Sequence, residues 1–188
     1  MKGFNKINRG LLLTIVILIG VGAYLMASAS RQSEVRPEIE RVCRAYVEAE
    51  TQAYLLPQQY RTVSPNIPKA ALNDYLDEAA NTVSSFYSED SYAKKQKIEE
   101  ITQVLKNQAQ GRSVILQYER TIRRFKGFYF EGNTVEVSLD MRIDCQESSN
   151  GSMRFESSDT ITLQKVGGDW KIAASGLTQP GFGALETW

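Results

Sequence analysis

The chain has no histidine among its 188 residues. Imidazole acid–base chemistry, histidine triads and histidine metal ligands are excluded together. Only two cysteines are present, Cys43 and Cys145, too few for a four-cysteine zinc site. Neither sign of charge dominates, since 22 Lys and Arg balance 22 Asp and Glu. No broad basic field exists to hold a phosphate backbone, so nucleic acid is not an expected partner. A phosphate-cradling loop is also missing. Gly167-Gly168 and Gly181-Phe182-Gly183 lack the Lys-Ser/Thr that such a loop needs. Internal repeats and long low-complexity linkers are absent. These absences predict no cofactor and no metal.

What is present begins with an uncharged run from Leu11 to Met26, LLLTIVILIGVGAYLM. Lys2, Lys6 and Arg9 precede it, and no acidic residue stands before Glu34. An apolar run with a basic N-terminal flank enters a bilayer and keeps that flank in the cytoplasm. With Gly10 and the small residues to Ala29 it reaches the length of a single membrane span. The expectation is a single-pass cell-membrane protein, anchored through residues 10–29 with residues 1–30 as cytoplasmic tip and anchor. Ala27-Ser28-Ala29 also fits a cleavage site, which would instead release a secreted protein cut near Ala29. Both readings place the remainder outside the cytoplasm. All 22 acidic residues lie in that remainder, which is slightly acidic once Lys2, Lys6 and Arg9 are set aside. Arg120, Arg123, Arg124 and Lys126 form its one basic run, which reads as a solvated strand end.

The first half of the remainder is helical in period. Val35, Ile39, Val42, Cys43, Tyr46 and Ala53 recur at spacings of three and four. Pro37 suits the first turn of that helix, which should fade near Pro57. Pro68 opens a second helix with Ala71, Leu72, Tyr75, Leu76, Ala79 and Val83 on one face. After Ser84–Asp90 a third helix carries Ile98, Ile101, Thr102 and Leu105 inward and stops before Gly111.

The second half alternates with period two. Val114, Leu116 and Tyr118 begin a strand that runs to about Phe125. Val135, Val137, Leu139, Met141, Ile143 and Cys145 give the cleanest alternation, with polar residues between them. Met153, Phe155, Ile161 and Leu163 form a third strand, and Trp170, Ile172 and Ala174 a fourth. Glu131-Gly132-Asn133, Asn150-Gly151 and Gly167-Gly168 mark the turns. Asn150-Gly151-Ser152 also matches a glycosylation sequon, although the hairpin turn accounts for it. The fold class is α+β: an N-terminal membrane helix, then three helices packed on a curved four-stranded antiparallel sheet.

Three helices before a long meander that closes on Gly167-Gly168-Asp169-Trp170-Lys171-Ile172 resemble the cone-shaped NTF2-like superfamily. Phe86-Tyr87-Ser88-Glu89-Asp90-Ser91 is similar to the loop those domains carry before the sheet. The resemblance implies an extracytoplasmic NTF2-like domain over residues 31–178 and a C-terminal tail over 179–188. In layout the chain is similar to the inner-membrane assembly component of type IV secretion and conjugation machines, and to exported bacterial proteins with one membrane segment. That implies a non-enzymatic interaction or assembly module, with protein partners or copies of itself. A small apolar ligand inside the cone is the alternative, and an enzyme like ketosteroid isomerase is a third reading.

For those alternatives the candidate pocket residues are Tyr118, Asp159 and Tyr87. Ketosteroid isomerase works with an aspartate base and a tyrosine-containing oxyanion hole. Tyr118 shares the inward phase of its strand, and Asp159 is in phase with Phe155 and Ile161. The bland reading is a core tyrosine and a solvated aspartate. Tyr46, Tyr54, Tyr60, Tyr75, Phe86, Tyr87 and Tyr92 could line a cone mouth, or simply pack the core. Cys43 and Cys145 point into the same helix–sheet layer. An oxidising compartment would permit a bridge between them if their Cα atoms came within about 7 Å. Otherwise they pack as small hydrophobes.

Overall fold

The computed structural model describes the backbone of residues 9–180 and the side chains of residues 17–21 and 32–180. Helix α1 spans Arg9–Ala53, α2 Lys69–Ser84 and α3 Tyr92–Ala109, with a short 3-10 turn at Gln58–Tyr60. Four strands follow: β1 Ile115–Glu131, β2 Thr134–Glu147, β3 Gly151–Val166 and β4 Asp169–Gly176. They form one antiparallel meander in the order β1-β2-β3-β4. The α+β class and the four-stranded sheet are as the periodicities require.

The chain divides into two units, residues 1–39 and 40–188. In the first, the backbone is helical from Arg9 onward, and Ile17, Leu18, Ile19 and Val21 are each more than half exposed. The rest of the expected membrane segment 10–29, with its cleavage site at Ala29, lies outside the described side chains, and the end of the tail lies beyond the described residues. Among the described residues, no helix is long and apolar enough to cross a membrane.

One local expectation changes at α1. The helix does not begin near Pro37 but runs through it, so Pro37 interrupts one turn of an existing ladder. Ser28–Glu34 is part of the same helix. Its sequence holds no glycine or proline to stop a helix.

The second unit builds its core from one face of each helix and the inner face of the sheet. Cys43, Tyr46, Val47, Glu50, Ala53 and Tyr54 of α1 are buried at helical spacing. On β2 the alternation is complete: Val135, Val137, Leu139, Met141, Ile143 and Cys145 are all buried, between half-exposed or exposed neighbours. Ser91 caps α3, its hydroxyl accepting from the Lys94 N–H at 3.2 Å. At the other end of α3, the Gln108 side chain donates to the Tyr54 carbonyl (2.8 Å) and accepts from the Ile115 N–H (3.0 Å). It therefore joins the end of α1 to the start of β1. Gly132 and the Gly167-Gly168 pair take positive φ at the hairpin turns, where side chains are strained.

β1 runs past Phe125 to Glu131, with register shifts between Ile122 and Arg124 and between Phe125 and Gly127. Such bulges bend and twist a long strand. They also break its period-two pattern, which is why the strand read as shorter. Met153 and Phe155 are less covered than their phase suggests, Phe155 being exposed. β4 ends at Gly176 opposite Thr160, so among the described residues the first half of β3 has no fourth strand beside it.

Candidate functional site

The helices carry charge into the core. Glu50 lies on the α1 face that holds Tyr46, Val47 and Tyr54, and its residue exposure is 0%. A bare carboxylate there would be strongly unfavourable. Lys97 of α3 reaches it, with Nζ 2.7 Å from Oε1. Arg120 of β1 reaches the other oxygen, with Nη2 3.0 Å from Oε2. Arg120 Nε also donates to Thr51 Oγ1 at 3.0 Å. Lys97 extends the network to Glu100, one turn on, at 2.9 Å, and to the Tyr54 hydroxyl at 3.2 Å. That hydroxyl donates in turn to Glu100. Three elements thus contribute two cations and two carboxylates to one cluster.

The cluster sets its own electrostatics. Burial alone would lower the Arg120 pKa, but the Glu50 carboxylate raises it overall. Glu100 is pushed up to about 7, first by burial and then by the charge of Glu50, with Arg120 opposing. The Arg120 guanidinium carbon stands 5.3 Å from the centre of the Tyr118 ring and 5.8 Å from that of Tyr54. Its Nη1 is buried without a hydrogen-bond acceptor.

Of the three residues proposed from the sequence, Tyr118 borders this cluster through the Arg120 guanidinium. Tyr118 is buried, its hydroxyl donating to the Thr178 carbonyl at 3.4 Å. Asp159 is buried as well, and both its oxygens serve Thr178. Oδ2 accepts from the backbone N–H (3.1 Å) and Oδ1 from the hydroxyl (2.8 Å). Tyr118 and Asp159 therefore meet on one residue beyond β4. Tyr87 stands apart, its hydroxyl 2.5 Å from that of Tyr46. Burial raises the pKa of Tyr46, Tyr87 and Tyr118, which keeps these hydroxyls protonated at neutral pH. Of the other aromatics, Phe86 packs edge-on to Tyr46, Tyr60 packs against Tyr75, and Tyr92 is exposed.

Tyr87 and Tyr118 open onto different clefts. A cleft of about 530 Å³ lies between α3 and β4, bordered by Tyr87, Ser91, Gln96, Lys97, Glu100 and Ala174. A smaller one of about 300 Å³ lies between α1 and β1, beside Arg44, Thr51, Tyr118 and Thr121. The largest, about 600 Å³, is on the outer face of the sheet among Glu119, Arg123, Arg142, Asp144 and Arg154. Among the described residues, no three His, Cys, Asp or Glu side chains are placed to hold a metal.

The basic run divides in two. Arg120 is buried in the cluster, while Arg123, Arg124 and Lys126 are exposed. The outward part fits the solvated-strand expectation, and Arg120 corrects it. The cysteines take the second of the two alternatives, packing without a bridge. Both are free and buried. Cys145 sits among Tyr54, Val83, Leu105 and Val114, a core group that does not include Cys43. Burial pushes each thiol up to about 12.

No protein-family model matches the sequence, and no curated protein matches it. Among solved structures, the chain is similar to an NTF2-like superfamily protein from Salmonella enterica serovar Typhimurium strain LT2. They are 14% identical, the match covers 81% of this chain and 98% of that one, and the TM-score is 0.45. It is also similar, at 13% identity, to a putative calcium/calmodulin dependent protein kinase II association domain from Xanthomonas campestris. That match covers 68% of this chain and 99% of the other, with a TM-score of 0.32.

Proposed function

We propose that this chain is a membrane-tethered, extracytoplasmic interaction module on an NTF2-like cone, with no catalysis of its own. Its role is that of an assembly subunit in an envelope-spanning machine of the secretion or conjugation kind. The observation that carries the reading is that the buried charges engage one another: Glu50 gives one oxygen to Lys97 and the other to Arg120. Asp159 is likewise spent on Thr178. Groups so engaged are not free to meet a ligand, which leaves binding to the surface. The tether rests on the uncharged run Leu11–Met26 behind Lys2, Lys6 and Arg9, and on the exposed side chains of Ile17, Leu18, Ile19 and Val21.

The test is topology. The full chain is fused at its C-terminus to alkaline phosphatase, which works only outside the cytoplasm, and separately to green fluorescent protein. The expected result is an active phosphatase, a dark fluorescent fusion and resistance to carbonate extraction, with Met1 or Lys2 still N-terminal. A bright fusion in the soluble fraction overturns both the tether and the location. A processed N-terminus near Ala29 replaces the tether with secretion.

A further inference from the structure

β4 ends the sheet, and among the described residues one of its edges has no neighbouring strand. That edge already accepts extended backbone at one point. Tyr87 forms an isolated parallel bridge with Ile172, and the Ile172 N–H donates to the Phe86 carbonyl at 2.7 Å. The strand then continues through Ala173, Ala174 and Ser175 along the cleft of about 530 Å³, whose opposite wall is the first two turns of α3. A helix lying beside an open strand edge, with room between them, is the arrangement in which an extended peptide can be added as a further strand.

From this juxtaposition we propose that the β4 edge, in the cleft it forms with α3, takes an extended and uncharged peptide segment of a partner protein. The inference rests on the reading of the chain as an interaction module and names that module's partner class. Backbone groups on the β4 edge supply the pairing. The side walls are small where the peptide must pass, with Ala93 on α3 and Ala173 and Ala174 on β4. Ser88, Ser91, Gln96 and Gln164 offer neutral donors and acceptors around it. The floor argues against a charged guest. Lys97 is already shared between Glu50 and Glu100, and its side chain is only 7% exposed. A further charge seated there would be buried with no free counter-charge to meet it.

The probe is a phage-displayed library of random peptides about twelve residues long, selected on the full chain solubilised in a mild detergent. The expected clones are uncharged at the positions that face the cleft. As synthetic peptides, they should lose about tenfold or more in affinity when alternate backbone nitrogens are methylated, since strand addition uses every second N–H. Ala93→Trp should weaken them by a similar factor, because it fills the cleft from the helix side. Gln96→Trp narrows the same cleft from an exposed position where folding is not at stake, and a thermal melt confirms that each variant is folded. Failure to enrich any clone, clones indifferent to backbone methylation, or clones that bind both variants as well as the parent overturn the proposal. Clones that bind only after residues 181–188 are deleted also overturn it, because the cleft would then belong to the chain's own tail. None of these outcomes depends on location, so a failure here is distinct from a failure of the topology test.

Discussion

Arg120 and Glu50 lie 70 residues apart in sequence and 3.0 Å apart in the core, with side-chain exposures of 0% and 1%. An ion pair so buried contributes little net stability compared with apolar residues of the same shape. Its removal by halves is another matter. Glu50→Ala would leave Lys97 and Arg120 facing each other without their shared counter-charge. The expected loss is about 3–5 kcal/mol, read by urea denaturation. Arg120→Met should cost less than Glu50→Ala, since Lys97 still compensates the carboxylate. A Glu50→Ala loss below about 1 kcal/mol would show that the cluster is solvated.

Glu100 gives the domain a pH dependence of definite sign. Its pKa in the folded state is about 7, against the 4.5 of an ordinary glutamate. The folded chain therefore binds this proton more tightly than the unfolded chain. Its contribution to stability is complete below about pH 4.5 and is lost as the pH rises through about 7. Asp140 and Asp144 act oppositely. Hydrogen bonds from Arg124 and from Arg154, respectively, lower their pKa values, so their contribution is present above the ordinary aspartate value and lost in acid. The expected melting temperature falls between about pH 5 and 8, and Glu100→Gln flattens that fall. A wild-type curve that rises across this window contradicts the assignment.

Adjacent positions on β2 should respond very differently to the same change. Leu139 is fully buried and pairs across the sheet with Phe125 on one side and Asp159 on the other. Leu139→Asp would place a second carboxylate beside Asp159 in the core, at an expected cost above about 4 kcal/mol. Ser138 faces the other way, and Ser138→Asp should change stability by less than about 0.5 kcal/mol. Equal effects in chemical denaturation would mean the strand faces are misassigned.

The thiols should be silent in the native protein and visible only after unfolding. Cys43 and Cys145 are buried and unbridged, and burial keeps both protonated far above neutral pH. A thiol reagent such as Ellman's should find none in the folded chain. In denaturant without reductant it should find two per chain. A count of zero in the unfolded monomer would establish a bridge between them.

Much of this fold is readable because period and burial agree locally. The β2 alternation, the proline before α2 and the glycine turns each act within a few residues. The cluster was not readable in that way, although its periods were. Glu50 recurs with Tyr46, Val47 and Tyr54, Lys97 with Ile101, Val104 and Leu105, and Arg120 alternates inward with Tyr118 and Ile122. Each charge stands on an apolar phase, where charged residues are rarely found; the sequence places Arg120 alone, in the solvated basic run. What makes their burial tolerable is a partner on another element, and one sequence does not display that pairing. Asp159 was legible in phase, but its partner Thr178 lies past the last strand, where no period extends.

The charge cluster also acts on the path to the native state. Hydrophobic side chains on a helix tolerate sliding, because one apolar contact replaces another at small loss. Glu50 does not tolerate it. If the end of α1 docked one turn out of place against β1 and α3, Glu50 would move by about 5.4 Å, beyond the reach of both cations. Two buried charges, Glu50 and Arg120, would then be unpaired at once, while Lys97 would keep only Glu100, a penalty no near-native packing could absorb. The cluster thus works as a proofreading lock. It adds little to the depth of the correct minimum, but it raises the neighbouring ones, so that α1, α3 and β1 settle in a single register.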